Sequence, residues 1–317
     1  MGGSYSGTWV RVQVLVSAAL TVILFAAAGY VPVLGILVSL LAPTPILLVA
    51  LRHGVLTGLV ALGLSTLSLA LLFGSLQSAI FFAEYGAMAL AMAEAIRRQW
   101  SVEKTLLVST AVPVVASGIV MALLFSSIDL DLVTMKQHFE KDLSQALRQF
   151  LTEEGGPSEA TLHAYVQEVF GTVVQLLPAF FVLSTAVGVL LNYGVVRLLW
   201  RRLGGQPLPE VMLTQWKAPE ACVWVLIASG LCYFLPVPGM RMVGVNVLLL
   251  VSLVYLVQGL GVMVFYLNKT SVPSILRNLA YVFLVIQPLL LLGVAVFGLF
   301  DLWFDFRRIS NKREETQ

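Results

Sequence analysis

Glu84 is an acid inside an apolar stretch, from about residue 76 to residue 96, that is long enough to span a bilayer. At 1.5 Å per residue it would lie about 12 Å from the outer end of a helix formed by that stretch. An acid at this depth costs at least ~2.5 kcal/mol against lipid, so we expect it to face the bundle interior or a wet cavity. It could contact a substrate or accept a proton there. Equally, it could be a buried carboxylic acid bonded to a hydroxyl or amide.

Amide side chains form the second group of candidates. Gln77, Gln175 and Asn192 lie in apolar stretches and, with Glu84, are the residues that we predict to bind a ligand. The same pattern has a structural interpretation, because an amide within a membrane can also bond across helices and join them. Prolines inside apolar stretches, such as the Ala42-Pro43-Thr44-Pro45 run, break helical hydrogen bonds that neighbours must replace or a cavity must accommodate.

Small residues at fixed spacing predict where helices pack closely. Ala83, Ala87, Ala91 and Ala95 recur every four residues, and Gly54 and Gly58 begin a similar face on the preceding apolar stretch. Such faces let a second backbone approach. Packing inside the bundle is the simpler interpretation, and docking of another membrane protein is the alternative.

Composition indicates what must position these residues. The chain is 59% hydrophobic and 11% charged, with a mean hydropathy of +0.92, whereas soluble domains are about 25% charged. A polytopic membrane protein is the remaining class. The net charge of +2 implies no nucleic-acid surface. Phosphate-loop, nucleophile-elbow and metal-ligand motifs are absent from the sequence, so we predict no catalytic residue, no metal site, no cofactor and no enzyme activity.

Nine stretches are candidate spans, because about 20 apolar residues cross a bilayer as a helix. They cover roughly 12–31, 33–51, 54–73, 76–96, 105–126, 171–200, 219–236, 241–267 and 273–300. Lys and Arg cluster in alternate loops, which predicts a cytoplasmic N-terminus and an external segment 127–170. Nine crossings would put the basic tail outside. Either 219–236 does not cross or the last stretch folds back near Gln287-Pro288, and we prefer a cytoplasmic tail.

The predicted organisation has four parts: a five-span region (1–126), an external amphipathic helical hairpin (127–170), a region of three or four spans (171–300) and a polar tail (301–317). The hairpin is predicted from apolar residues at helical spacing, among them Leu132, Met135 and Phe139. We expect an all-α transmembrane bundle of eight or nine spans, in contact with the lipid bilayer.

Short motifs along the chain resemble the YybS-like family of bacterial inner-membrane proteins. They include Tyr30-Val31-Pro32, Leu41-Ala42-Pro43-Thr44-Pro45-Ile46, Arg52-His53-Gly54, Gln215-Trp216-Lys217-Ala218-Pro219 and the ending from Asp301 to Arg308. This resemblance implies a multi-pass protein of the bacterial cytoplasmic membrane. The first six spans also resemble the substrate-binding S components of energy-coupling-factor transporters. That second resemblance implies a six-helix core to which the C-terminal helices are added.

Two functions follow as expectations. A transport-related component would bind an unknown small molecule within the bundle, near Glu84 and the broken second span. A non-enzymatic scaffold would instead recruit a membrane-protein or cell-envelope partner through the external hairpin. An intramembrane enzyme has less support, because acid–base chemistry usually needs a second positioned group besides Glu84.

Overall fold

The computed structural model describes residues 3–31, 34–127, 159–209, 213–270 and 272–308, together with residues 137, 141–143 and 145. Every regular element among them is helical, which confirms the predicted all-α polytopic bundle. Seven segments are long and apolar enough to cross a membrane, and a bent helix pair could supply an eighth. Most of the predicted hairpin 127–170 and the end of the polar tail lie outside the described residues.

The chain divides into two compact units. Unit 1 comprises Met1–Pro157 and Ser184–Glu210, and unit 2 comprises Ser158–Leu183 and Val211–Gln317. One continuous helix, α8 (Glu159–Arg202), contributes residues to both units. Within the described ranges, the other helices of unit 1 are α1 (Gly3–Tyr30), α2 (Leu34–Ser39), α3 (Pro43–His53), α4 (Val55–Phe73), α5 (Ser75–Phe81), a π-helical turn (Phe82–Gly86), α6 (Ala87–Arg97) and α7 (Val102–Ser127).

The core of unit 1 forms around α3, which contacts α1, α4 and α6. Its side chains Ile46 and Leu47 are fully buried, as is Met92 of α6. At Gly58 of α4, an added Cβ would lie 2.5 Å from the Cβ of Ala50, so only glycine allows this approach of α4 to α3. The second predicted span is therefore two helices, α2 and α3, with the break at the predicted proline run.

Unit 2 contains the first part of α8 and four further helices. These are α9 (Ala221–Phe234), α10 (Pro238–Lys269), α11 (Ser274–Ile286) and α12 (Pro288–Phe304). The longest, α10, has 32 residues and measures about 48 Å. It packs against α9 on one side and α12 on another. The shorter α9 has 14 residues, or about 21 Å of helix.

The two ends of unit 2 are formed by different segments of the chain. At one, which we call the Arg307 end, Arg307 donates to the carbonyls of Leu213 and Thr214, and the Tyr266 hydroxyl donates to the carbonyl of Phe306. At the other, the Arg241 end, α9 finishes at Phe234 and α10 starts at Pro238.

The last apolar stretch starts and finishes at the Arg307 end. Arg277 of α11 donates to Asn268 of α10 at 3.1 Å, which fixes the start of α11 beside the end of α10. A bend of 104° separates α11 from α12 at Gln287, and the residues after α12 return to Leu213. The bend supports the alternative in which this stretch folds back near Gln287-Pro288.

We therefore predict that residues 215 and 308 face the same side of the membrane and that residue 237 faces the opposite side. In a Cys222→Ser/Cys232→Ser background, Gln215→Cys and Arg308→Cys should react with a membrane-impermeant maleimide from one side only. Val237→Cys, an exposed position between α9 and α10, should react from the other side. Reaction of Gln215→Cys and Arg308→Cys from opposite sides would contradict the returning path of α11 and α12.

Candidate ligand-binding site

A cavity of about 780 Å³ opens at the Arg241 end of unit 2. Three elements bound it: one turn of α8, the end of α9 with the connection that follows, and the start of α10. Its lining residues are Gly171, Val174, Gln175, Tyr233, Phe234, Leu235, Pro236, Val237, Arg241 and Met242. The wall is mostly apolar and aromatic, with one cation and one amide, which is the usual composition of a small-molecule site.

A close approach of two helices shapes this cavity. If Gly244 of α10 carried a Cβ, that atom would lie 2.6 Å from the backbone nitrogen of Tyr233 and 2.8 Å from the carbonyl oxygen of Ser229. Glycine at this position lets α10 touch the backbone of α9. As a result, the last turn of α9 presents Tyr233 to the first turn of α10, which carries Arg241.

Arg241 supplies the positive charge of the cavity. Its guanidinium carbon lies 5.1 Å from the centroid of the Tyr233 ring, and its Nη2 donates to the Tyr233 hydroxyl at 3.5 Å. Stacking on an aromatic face holds an arginine in place without using many of its five N–H donors. Tyr233 is the one hydrogen-bond acceptor of the Arg241 guanidinium in the described part of the chain, so most of the guanidinium N–H donors can bind an anionic group.

An amide fixes the α8 wall of the cavity at a proline. Asn246 accepts a hydrogen bond from the backbone N–H of Ala179 at 2.8 Å and donates to the carbonyl of Gln175 at 2.7 Å. An ideal helix would join these two backbone groups to each other. Pro178 lies between them inside α8, and proline disturbs helical bonding at this point. Through these two bonds the Asn246 side chain bridges the interrupted helical turn and holds Gln175 at the cavity.

A buried ion pair stabilises the Arg307 end of the same unit. Nη2 of Arg307 lies 2.6 Å from Oδ2 of Asp301, and both side chains are 0% exposed. Nε of Arg307 donates to the same oxygen at 3.2 Å. The second carboxylate oxygen of Asp301 has no hydrogen-bond partner among the described residues. Since a buried charge is costly unless paired, Asp301 and Arg307 depend on each other.

The ion pair belongs to a network that joins three segments of unit 2. Gln258, in the middle of α10, donates to Asp301 at 3.0 Å and accepts from the backbone N–H of Ala218 at 2.9 Å. Lys217, one residue earlier, pairs with Asp305 at 2.9 Å. The polar segment before α9 is thereby bonded to both α10 and the end of α12.

Glu84 lies in the π-helical turn of unit 1, Phe82–Gly86, between α5 and α6. Its side chain is half-buried and hydrogen-bonds with Thr185 of α8, which is itself buried. π-Helical turns often occur at functional sites, because the extra residue redirects side chains. The next residue, Tyr85, stacks on Phe81 with ring centroids 5.8 Å apart.

Asn192 repairs the broken span of unit 1. It is 0% exposed, and its Nδ2 donates to the carbonyl of Leu40 at 2.8 Å, while its Oδ1 accepts from the Thr44 hydroxyl at 2.7 Å. In a regular helix the Leu40 carbonyl would accept from the N–H of Thr44, which here donates to Leu41 instead. Asn192 supplies the donor that the proline-bearing break removes.

Comparison with known proteins places this architecture in a family. The profile of the family described as "Predicted membrane protein (DUF2232)" matches residues 19–302. The chain belongs to this family. It is similar to the "Uncharacterized protein YybS" of Bacillus subtilis (strain 168), with 23% identity over 309 residues that cover 94% of this chain and 98% of the relative. The predicted YybS-like resemblance is thus confirmed. No solved structure matches the chain.

The four predicted ligand-binding residues are distributed over both units. Glu84 and Asn192 belong to unit 1, where Glu84 bonds to Thr185 and Asn192 bonds to protein groups. Gln77, on α5, is exposed. Gln175 lines the cavity of unit 2, whose lining contains none of the other three. Binding of a ligand by Glu84, Gln77 or Asn192 stays a prediction.

The predicted packing residues have different surroundings. Ala83 and Ala95 are buried, and Ala87 and Ala91 are half-buried; Ala83 lies inside the π-helical turn and Ala87 directly follows it. Gly54 lies at the junction of α3 and α4, where its φ of +103° is a backbone conformation that favours glycine. For these residues, docking of another protein stays a prediction. The described residues contain no group of three or more His, Cys, Asp or Glu side chains that could hold a metal ion.

Sequence reasoning missed Arg241, Tyr233 and the Asp301–Arg307 pair. The sequence did contain a signal for Arg241, because it is a cation next to a loop predicted to be external, where Lys and Arg are scarce. Asp301 and Arg307 are six residues apart, which is not a helical pairing distance. They meet because α12 ends at Phe304 and Asp305 adopts a left-handed conformation with φ of +40°.

Arg307→Met should lower the free energy of unfolding by about 3–5 kcal/mol, because it leaves the Asp301 carboxylate buried and unpaired. Asp301→Leu should cost a similar amount. The double variant should lose clearly less than the sum of the two, since it removes both charges. Unfolding of the full chain in mixed micelles measures these values. Arg202→Met, at an exposed arginine, is the control and should cost less than about 0.5 kcal/mol. Additive losses would show that the two charges do not depend on each other.

Proposed function

We propose that this protein is a transport-related membrane component that binds a small amphiphilic anion in the cavity at the Arg241 end of unit 2. The observation that supports this proposal is the combination of an open cavity of about 780 Å³ with one guanidinium group on an otherwise mostly apolar wall. Its volume lies within the range of about 300–1,000 Å³ that is typical of ligand sites.

The charge in the cavity favours an anionic group. Arg241 stacks on Tyr233, so its guanidinium is oriented before a ligand arrives. A guanidinium binds carboxylate or phosphate through two parallel hydrogen bonds, which are stronger than bonds between neutral groups. The side-chain amide of Gln175 lines the same cavity and can add a further hydrogen bond.

The remaining wall favours an apolar body. Val174, Phe234, Leu235, Val237 and Met242 line the cavity, and they offer no charge to a polar molecule. A ligand with a hydrophobic chain would bury apolar surface here while its anionic end pairs with Arg241. We therefore infer that a fatty acid, an alkyl phosphate or a comparable amphiphile is the class of ligand.

The predicted orientation of the chain in the membrane determines the side from which this cavity would take up a ligand for transport. The Arg307 end carries Lys217 and lies beside Lys269, and the positive-inside rule assigns such an end to the cytoplasm. On this assignment the N-terminus is cytoplasmic in a bacterial inner membrane, and the cavity opens outside. It would capture its ligand from the outer leaflet or the external solution. The sequence has no ATP-binding motif, so a partner or an ion gradient would supply energy.

We test binding with radiolabelled decyl phosphate, added to the full-length protein in phosphatidylcholine nanodiscs. Arg241→Gln should weaken saturable binding by about tenfold to a hundredfold, because hydrogen bonds to a charged group contribute about 1.5–3 kcal/mol. Arg241→Lys should weaken it less. Arg277→Gln removes an equal charge at the Arg307 end and should leave binding unchanged.

Decyl trimethylammonium and empty nanodiscs control for partitioning into lipid. Equal binding of decyl phosphate to the wild type and to Arg241→Gln would contradict the proposed site. The transport role has its own test, in which the protein is purified from native membranes in mild detergent and analysed by mass spectrometry. Recovery of a small anion that Arg241→Gln loses, or of an ATPase with a coupling subunit, supports transport. Recovery of cell-envelope assembly proteins instead would contradict it.

A further inference from the structure

A second cavity lies at the C-terminal end of α8, within unit 1, and it has a volume of about 340 Å³. Its lining residues are Gly194, Arg197, Leu198, Arg201, Pro207 and Leu208. Among the described residues, this lining contains two arginines and no acidic side chain. Its lining shares no residue with the cavity in unit 2, and what we infer from it does not depend on the proposed function.

Helix geometry puts the charges on one face. Arg197 and Arg201 are four residues apart, so their side chains lie on the same face of α8, about one helical turn apart. Gly194 precedes Arg197 by three residues on the same face and leaves room there, since a Cβ at this position would meet no atom within 4 Å. The opposite face, with Asn192 and Val196, is buried in unit 1.

The second wall of the cavity is held in a fixed position. After α8 the chain turns back at Gly204, whose φ is +79°. The N–H of Gly205 donates to the carbonyl of Trp200 and that of Gly204 to the carbonyl of Arg201, which is the Schellman pattern of a helix end. The hydroxyl of Tyr193 then donates to the carbonyl of Pro209 at 2.9 Å. Pro207 and Leu208 are thereby fixed beside the two arginines.

An exposed apolar stripe leads from the membrane interior to the arginines. Val187, Leu191 and Leu198 of α8 are 45%, 42% and 53% exposed. Their spacing puts them on the face that carries Gly194 and Arg201, so the stripe continues into the cavity. Such a surface accepts an acyl chain, whereas a soluble anion would need only the two arginines.

We propose that Arg197 and Arg201 bind the phosphate group of an anionic phospholipid, with an acyl chain along the stripe of Val187, Leu191 and Leu198. Two guanidinium groups one turn apart can share the oxygens of one phosphate, each through paired hydrogen bonds. Basic cavities at the ends of transmembrane helices commonly hold phospholipid headgroups. Inorganic phosphate offers the same chemistry without the chain, so the test must separate the two sources.

The test measures the thermal unfolding midpoint of the full-length protein in dodecyl maltoside. Dihexanoyl phosphatidylglycerol should raise the midpoint of the wild type saturably by several degrees, and dihexanoyl phosphatidylcholine should raise it much less. Arg197→Gln/Arg201→Gln should abolish the difference between the two lipids. Arg202→Gln is the matched control, because it removes a charge from the same helix end outside the cavity, and it should keep the difference.

Gly194→Leu provides a second variant that keeps both arginines. The leucine side chain should fill the open space beside them and abolish the phosphatidylglycerol effect, while the midpoint without lipid stays at or above that of the wild type. An undiminished phosphatidylglycerol effect in Arg197→Gln/Arg201→Gln would overturn the proposal. So would an equal loss in Arg202→Gln, which would indicate unspecific attraction. An equal rise with inorganic phosphate at the same concentration would overturn the lipid assignment in favour of a soluble anion.

Discussion

Inside a bilayer every backbone N–H and carbonyl group needs a partner from the protein, because lipid offers none. This chain interrupts its helices with proline, and amide side chains restore the missing bonds. Asn192 donates to the Leu40 carbonyl beside the break between α2 and α3. Asn246 bonds both Gln175 and Ala179 around Pro178. Gln258 accepts from Ala218, which precedes Pro219 and α9. Each of these amides lies on a different segment from the backbone group that it bonds, so the hydrogen bond that replaces the missing one also joins two segments.

These repairs explain where the binding surfaces form. A helix broken by proline cannot pack as closely as a regular one, and the space beside it is kept open when the amide fixes the break. In unit 2, the amide of Asn246 holds α8 at Gln175, and the cavity with Arg241 lies there. The Asp301–Arg307 pair, through Gln258, stabilises the opposite end of that unit, so one end is tightly bonded while the other is open. In unit 1, Asn192 and Tyr193 are adjacent on α8, and Tyr193 fixes the wall of the arginine cavity.

Part of the structure could be predicted from the sequence, because the length of the apolar stretches and the positions of the prolines determine local structure. Those properties indicated the helical spans and the break near Pro43, and they offered a fold-back near Gln287-Pro288 as one of two alternatives for the C-terminal spans. They also indicated that intramembrane amides would bond across helices. The particular partners could not be predicted, since Asn192 is 152 residues from Leu40 and contact depends on the fold. The π-helical turn at Glu84 has no sequence pattern of its own. The proposed anion site was missed because Arg241 meets Tyr233 only after α10 turns back along α9.

The role of the amides in replacing backbone bonds is tested by the free energy of unfolding of Asn192→Leu and Asn246→Leu, with Gln77→Leu as the matched control. Leucine keeps a similar volume and removes the amide. The two buried amides each satisfy backbone groups, and an unsatisfied buried group costs about 1–3 kcal/mol, so each of these variants should lose at least ~2 kcal/mol. Gln77 is an exposed amide on an apolar helix, and its replacement should change stability by less than about 0.5 kcal/mol. Equal losses in all three variants would contradict the claim that amide side chains replace the broken backbone bonds.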